Sequence, residues 1–388
     1  MVPPLVPEGP CKILDFLFGQ GFARAFLILM KKEAVCLNLD GVTNVLPYRD
    51  YYKGRNGLVA RHLAEYLGLP YRDKSGGGEN EYIVPPVPIS KSTAKKLGIK
   101  TEADFYGGAV EHMGHVTKAI LHPSVSAIKP SYYSDAFAKS VESLVLPGAT
   151  VFSKQDLLDN YRSFANQFPG VMRLKLTNKS DGHGQYRFSS KEELVAILEK
   201  ISDEEIVRDG LVVEPDLVYK STVSFGRVIV GTDVFYFLAK QKNDFAPEDS
   251  RDRYLGADVL VVRDDVTKLY EVRLNIAEQK SLEIGDEFLE RYAYLNPICS
   301  RISFDCLTGY DSLDRKYRGI TDITARLGGT CPAVSLAILE FKRNRKLSII
   351  QAEVNLNYDP SVGKDFEKGV AFIDLPSLRL TARINSLL

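Results

Sequence analysis

The stretch VMRLKLTNKSDGHGQYRFSSKEEL, residues 171–194, decides how the rest of the chain is read. Apolar and charged residues alternate from Met172 to Leu176, the pattern of a half-buried strand with Lys175 on its polar side. A polar loop containing Gly182 and Gly184 follows, and alternation returns at QYRF before a helix opens at SSKEEL. Three phosphate-binding uses of glycine compete here. A Walker A loop needs Lys followed by Ser or Thr directly after its last glycine, but Gly184 is followed by Gln185 and Tyr186. A dinucleotide fingerprint runs from its glycines straight into a long helix, whereas strand-like sequence resumes here. What remains is a β-hairpin whose glycine tip can fold over a phosphate chain, with Lys175 on the strand beneath.

Length and charge bound the alternatives. A chain of 388 residues packs as two or three lobes. Fifty basic and fifty acidic residues leave a net charge of zero, so no general attraction to nucleic acid or anionic lipid is expected. The aromatic run RVIVGTDVFYFLAK is therefore not read as a nucleic-acid surface. Five cysteines (Cys11, Cys36, Cys299, Cys306, Cys331) are scattered without a CxxC pair, which argues against a disulfide framework and a zinc ribbon and fits a reducing, cytoplasmic setting. The start MVPPLVPEGPCK lacks signal-peptide character. The most apolar run, GFARAFLILM, is broken by Arg24 and falls short of the ~20 residues that span a bilayer, so no membrane anchor is expected.

The pattern along the chain is that of an α+β protein. An α/β lobe over 1–130 combines the strand candidates AVCLNL and YIVPPVPI with the helix NGLVARHLAEYLGL, which Gly68 and Pro70 end. The polar run RDKSGGGENE (72–81) is a surface loop. A mixed lobe over 131–210 runs as a helix, a strand, SKQDLLDNYRSFANQF as a single helix capped by Ser153, the glycine hairpin and another helix. From 211 to 388, LVVEPDLVYKSTVSFGRVIVGTDVFYFLAK, ADVLVV and RISFDCLTG predict a large antiparallel sheet. Its helices are GDEFLERYAYL and CPAVSLAILEFKRN, the second with Pro332 in its first turn.

A second constellation lies in ISFDCLTGYDSLDRKYRGITDITARLGGTCPAV. Asp305 falls on one strand and a polar turn surrounds Asp314. Asp322, Thr324 and Arg326 alternate on the returning strand and so share a face. A hairpin that brings Asp305 beside Asp322 makes an oxygen-rich site suited to Mg²⁺ and nucleotide phosphate. Arg326 offers a planar fork to an anion beside that metal. Gly328 and Gly329 lead into a helix start at Cys331 and Pro332.

A lysine strand with a glycine tip, then VVEPDL, then an acidic-x-x-x-Arg-x-Gly-Gly strand, in that order, resembles the ATP-grasp superfamily. More narrowly, FYGGAVEHMGHVTKAILHPSV, VLPGATVFS, RLKLTNKSDGHGQ and RLGGTCPAVSLAILEF resemble a bacterial family of that clan known as domain of unknown function 3182. The resemblance implies an ATP-grasp-like fold with a lid subdomain at 131–210 and a large antiparallel C-terminal subdomain at 211–388. The lobe at 1–130 would be on the substrate side. It implies ATP clamped between lid and sheet. Lys175 would contact the phosphates, with Lys139 as a second lysine. Ser180, Asp181, Gly182, His183, Gly184 and Gln185 would cover the phosphates, and Glu214, Pro215, Asp216 and Leu217 would form the hinge at the adenine edge. Asp305, Asp322 and Thr324 would hold Mg²⁺, and Arg326 would steady the transferred phosphoryl group.

Two departures stand out. Many ATP-grasp enzymes carry Glu-x-Asn where this chain has Asp322-Ile-Thr324, and a Glu-x-Asn pair does occur at Glu353 and Asn355. Asp322 is preferred because Arg326 and the double glycine follow it. His112, Lys118 and His122 fit no common zinc spacing, and a place at the acceptor-substrate side is the lesser expectation for them. The implied activity is an ATP- and Mg²⁺-dependent ligase that joins a carboxylate to an amine or thiol through an acyl phosphate. Its partners would be small molecules or a peptide or protein acceptor. A phosphotransferase acting on a hydroxyl and a catalytically degenerate binding scaffold are the alternatives.

Overall fold

The computed structural model describes residues 33–36, 49–73, 81–179, 182–246, 251–357, 371–375 and 378–387. The end of the AVCLNL strand, most of the 72–81 loop, Ser180 and Asp181 lie outside the described residues.

The N-terminal part is a small parallel sheet, order β2-β1-β3, of β1 (Glu33–Cys36), β2 (Tyr71–Arg72) and β3 (Glu81–Val84). Helix α1 (Arg49–Leu67) crosses between β1 and β2 and buries Leu58, Val59, Ala60, Leu63 and Ala64. Gly68 ends it at φ 71°, a left-handed turn that glycine adopts without a Cβ clash. Two short parallel strands, β4 (Ile89–Ser90) and β5 (Gly108–Val110), lead into two 3₁₀ turns, Met113–Val116 and Lys118–Ile120. Helix α2 (Asp135–Val141) follows.

The next sheet carries the glycine hairpin. Strands β6 (Ala149–Val151), β7 (Met172–Leu176), β8 (Gln185–Phe188) and β9 (Leu211–Pro215) pair antiparallel in the order β6-β9-β7-β8. Strand alternation splits it into two faces. Met172, Leu174, Leu176, Leu211 and Val213 pack with Leu157, Phe164, Leu194 and Ile197 of the covering helices. Arg173, Lys175 and Glu214 therefore point to the opposite, polar face. The single helix expected after Ser153 is two helices, Lys154–Asp159 and Tyr161–Gln167. They break at Asn160, whose backbone leaves the helical region at φ −91° and ψ 0°, while its side-chain and backbone amides both donate to the Asp156 carbonyl, at 2.8 and 3.1 Å.

The large sheet is antiparallel throughout: β10 (Val218–Val230), β11 (Asp233–Ala246), β12 (Arg251–Arg263), then β14 (Arg301–Tyr310), β15 (Lys316–Thr324), β16 (Ile349–Asn357), β17 (Ala371–Leu375) and β18 (Leu378–Leu387). Their order is β15-β14-β10-β11-β12-β16-β18-β17, while β13 (Ile298–Cys299) pairs back to β5. Helix α3 (Ile276–Tyr292) covers one face, packing Leu282, Phe288 and Tyr292 on Phe225, Leu238, Ile302, Phe304, Ile320 and Ile323. Helix α4 (Cys331–Arg343) and α1 cover the other, through Val334, Ala337 and Ile338 on Val228, Phe237, Ala239, Val259, Ala352 and Val354. Among the described residues no helix is long and apolar enough to cross a membrane.

This two-sided packing fixes where the acidic candidates point. Ile302 and Phe304 belong to the α3 core, so Asp305 faces the α4 side; Ile323 places Asp322 and Thr324 there too. Ala352 and Val354 belong to the α4 core, so Glu353 and Asn355 point to the α3 side.

Candidate active site

On the polar face of the hairpin sheet, Lys175 is buried and ion-paired with the equally buried Glu214. The other Glu214 oxygen lies 3.0 Å from Nε2 of His122, which is fully buried. Burial alone would push the Glu214 carboxyl up, yet the Lys175 charge and the His122 hydrogen bond outweigh it and hold the group at about 2. Burial also pushes the Lys175 ammonium down, against the pull of Glu214. The two ends of the pair thus respond to burial in opposite ways. We take the carboxylate as ionised because it has two donors, and the proton of His122 then sits on Nε2.

His122 is held by its neighbours along the chain. The Thr150 hydroxyl donates to the Ala119 carbonyl at 2.8 Å, and the Tyr133 hydroxyl donates to the His122 carbonyl at 2.7 Å. Gly148 faces the ring so closely that a Cβ there would lie 2.9 Å from its Cε1 and 2.7 Å from the Val213 carbonyl oxygen.

Beside this triad, Asp216 accepts from Nε of Arg173 at 2.7 Å and from Nε of Arg187 at 2.8 Å. Arg173 also donates to the Gln185 side-chain oxygen at 2.9 Å. The end of β9 and the hairpin strands are thereby tied together by charge. At the tip, Gly182 and Gly184 have φ of 77° and 63°, and the Leu176 amide donates to the Gly184 carbonyl at 2.8 Å.

In the large sheet, Asp305 and Asp322 are direct register partners on β14 and β15, next to a bulge. Opposed residues of an antiparallel pair have Cβ atoms about 5 Å apart, and like charges there repel. Asp305 is pushed above the ordinary carboxylate range, first by burial and then by the Asp322 charge, although its Oδ1 accepts from the Ser224 hydroxyl at 2.7 Å. Gln241 donates to that same hydroxyl at 2.9 Å. The ammonium of Lys118, itself buried, sits 3.2 Å from Oδ1 of Asp322 and donates to the Lys179 carbonyl at 2.8 Å. Two opposed carboxylates with a hydroxyl residue, Thr324, one step along the same face are a hard-oxygen donor set. They fit Mg²⁺, which takes one or two carboxylates and completes its shell with water and phosphate. Among the described residues no group of three or more His, Cys, Asp and Glu comes together, so an all-protein metal cage is not what this site offers.

The structure therefore joins Lys175, Glu214 and His122 in one group and Lys118, Asp322 and Asp305 in a second, near enough that the Lys118 charge acts on Lys175; Gln185 and Asp216 are tied to the first group's sheet through Arg173. Lys139 does not join them. Helix α2 buries Phe137, Ala138 and Val141, and helical spacing puts Lys139 on its exposed side. Arg326 lies just past the end of β15, half-buried, donating to the Leu327 carbonyl at 3.1 Å. His112 is exposed and meets His115 edge to face at 5.4 Å, away from His122. His183 is exposed at the hairpin tip; Pro215 and Leu217 are buried. Cys331 is buried, its sulfur accepting from the Gly328 amide at 3.2 Å. Glu353 and Asn355 bond Lys242 on the opposite face of the sheet.

Residues not singled out from the sequence are Arg173, Arg187, Ser224, Gln241 and Arg301. Arg173 stands two residues before Lys175 and Arg301 four before Asp305, so strand alternation was the available signal for both. Arg301 is buried and donates to the Thr324 carbonyl at 2.6 Å.

The family described as "Protein of unknown function (DUF3182)" matches residues 51–373. The chain belongs to this family. No curated protein matches it significantly. Among solved structures, this DUF3182 chain is similar to biotin carboxylase of Campylobacter jejuni, solved as a β-γ-ATP complex: TM-score 0.55, 10% identity, with 92% of this chain and 88% of that one covered. It is also similar to the biotin carboxylase domain of Hydrogenobacter thermophilus 2-oxoglutarate carboxylase, solved with MgADP, ADP and bicarbonate. There the TM-score is 0.50 and the identity 12%, over 93% of this chain and 84% of that one. At such identities the likeness is one of fold, and this DUF3182 chain has the ATP-grasp fold.

Proposed function

We propose that the protein is an ATP- and Mg²⁺-dependent ligase that joins a carboxylate to an amine, or to a thiol, through an acyl phosphate. The observation that carries this reading is a side-chain arrangement: two buried lysines, Lys175 and Lys118, the second of them on Asp322, which Asp305 opposes, with Lys175 on the strand that leads into a glycine-tipped hairpin. ATP or ADP bound in both similar structures supports the choice of nucleotide.

In this reading the adenine lies along residues 214–217 and the triphosphate under the hairpin tip. Lys175, kept charged and aimed by Glu214, neutralises the phosphate chain. Asp305 and Asp322, with Thr324 beside them, would hold Mg²⁺, which lowers the charge on the β- and γ-phosphates. A substrate carboxylate oxygen attacks the γ-phosphorus, the bond to the β-phosphate oxygen breaks, and ADP leaves. The amine then attacks the acyl carbon and phosphate departs. Arg326 offers its planar fork to the acyl phosphate. Alignment and charge neutralisation do the chemical work, and the site needs no nucleophilic side chain.

Hydroxylamine tests this directly. With ATP, Mg²⁺ and a panel of carboxylic acids, the ligase reading expects ADP release together with a hydroxamate for the true acid. A phosphotransferase would release ADP with hydroxyl compounds and form a stable phosphate ester. A degenerate scaffold would bind ATP and release no ADP with any acceptor.

A further inference from the structure

Lys118 makes two contacts that belong to two different elements. One is to Asp322 on the large sheet at 3.2 Å; the other is to the Lys179 carbonyl, in the loop between β7 and β8, at 2.8 Å. Its backbone is fixed independently of either: the Thr117 hydroxyl accepts from the Ala119 amide at 3.3 Å and donates to the Gly114 carbonyl at 2.9 Å. The Thr150 hydroxyl anchors the Ala119 carbonyl, and Ser124 bridges Thr150. A buried ammonium on so rigid a base can change partners only by turning its own side chain.

We propose that Lys118 is a resident cation that makes metal binding conditional on nucleotide. Without nucleotide, its ammonium holds the Asp322 oxygen that a divalent ion would use and ties the hairpin loop down through Lys179. A divalent ion on Asp322 would stand about 2 Å from that oxygen, so two positive charges would face each other in a partly dehydrated cleft and repel. A triphosphate removes the conflict. Lys118 turns to a phosphate oxygen and Asp322 becomes free for the metal. The inference rests on the reading of Asp305 and Asp322 as metal carboxylates and adds to it the order of events.

The test is a Mn²⁺ titration followed by electron paramagnetic resonance, with and without ATP, on the full chain and three variants. Wild type is expected to bind Mn²⁺ alone weakly and Mn²⁺ with ATP tightly. Lys118→Met should bind Mn²⁺ alone about ten-fold tighter, the scale of one charge-assisted contact removed from competition. Lys118→Gln keeps a donor for the Lys179 carbonyl, and so guards against a folding defect, and should show the same tightening. Lys118→Arg should behave like wild type.

Unchanged or weaker Mn²⁺ binding in the folded neutral variants, with ATP-dependent Mn²⁺ binding intact in wild type, overturns the role of Lys118 and leaves the metal reading standing. If wild type takes up no Mn²⁺ even with ATP, the metal reading fails and this inference fails with it.

Discussion

Replacing Lys175 by Met removes the main counter-charge of a carboxylate that cannot reach water. Glu214 is held at about 2 against an ordinary value of 4.5. At roughly 1.36 kcal/mol per pKa unit this amounts to about 3 kcal/mol of preference for the ionised form in the folded chain. Part of that gain is offset in wild type by the cost of burying the Lys175 ammonium, whose own pKa burial lowers. Because the folded-state value is depressed, the contribution is present in full above about pH 4.5 and is lost as the pH falls toward about 2. In Lys175→Met the sign reverses. Glu214 keeps only His122, its pKa rises, and near neutral pH the fold must carry a buried charge without its counter-ion, at a cost of about 3 to 5 kcal/mol. Acidification neutralises that charge, so the deficit shrinks. The assay is urea unfolding of wild type, Lys175→Met and Lys175→Met/Glu214→Gln near pH 7 and near pH 5. The single variant should be least stable, relative to wild type, near pH 7, and the double variant should recover at least half of the loss. A deficit equal at both pH values and untouched by Glu214→Gln would refute the argument that these two groups form the buried pair.

Other substitutions probe the surroundings of the pair. Gly148→Ala drives a methyl into the His122 ring and the Val213 carbonyl, so thermal unfolding should show a loss of about 1 to 3 kcal/mol. Gly184→Ala forces a left-handed residue with a Cβ 2.7 Å from Lys179 Cγ and 2.9 Å from Leu176 Cβ. It should cost on the order of 1 to 3 kcal/mol by the same measurement and weaken ATP binding. Glu353→Gln sits on the far face of the sheet, among Lys242 and Arg383. Calorimetry should find ATP affinity with Mg²⁺ unchanged within about two-fold, that is about 0.4 kcal/mol.

What could be read before folding is the part that depends on strand alternation and local turns. The hairpin under Lys175 and the pairing of Asp305 with Asp322 both follow from period two and a polar turn between strands. The face of Glu353 could have been read the same way, since Ala352 and Val354 flank it as apolar neighbours, but only once the buried side of β16 is known. The cross-chain pairings were not legible. His122 meets Glu214 from 92 residues away, and Lys118 meets both Asp322 and the Lys179 carbonyl. No spacing rule links residues in different elements. The exposure of Lys139 has a local reason, because the apolar positions of α2 turn it toward solvent. The break at Asn160 is a local departure of one residue's backbone, at ψ 0°, inside an otherwise continuous helical pattern.

The central claim is that ATP and Mg²⁺ meet between the hairpin sheet and the Asp305–Asp322 pair. Calorimetric titration of the folded protein with ATP, with and without Mg²⁺, on wild type and Asp322→Asn tests it most directly. The account predicts that Mg²⁺ tightens ATP binding by ten-fold or more, about 1.4 kcal/mol, in wild type and that Asp322→Asn abolishes the tightening while leaving metal-free binding in place. ATP binding that ignores both Mg²⁺ and Asp322, or no ATP binding at all, would contradict it.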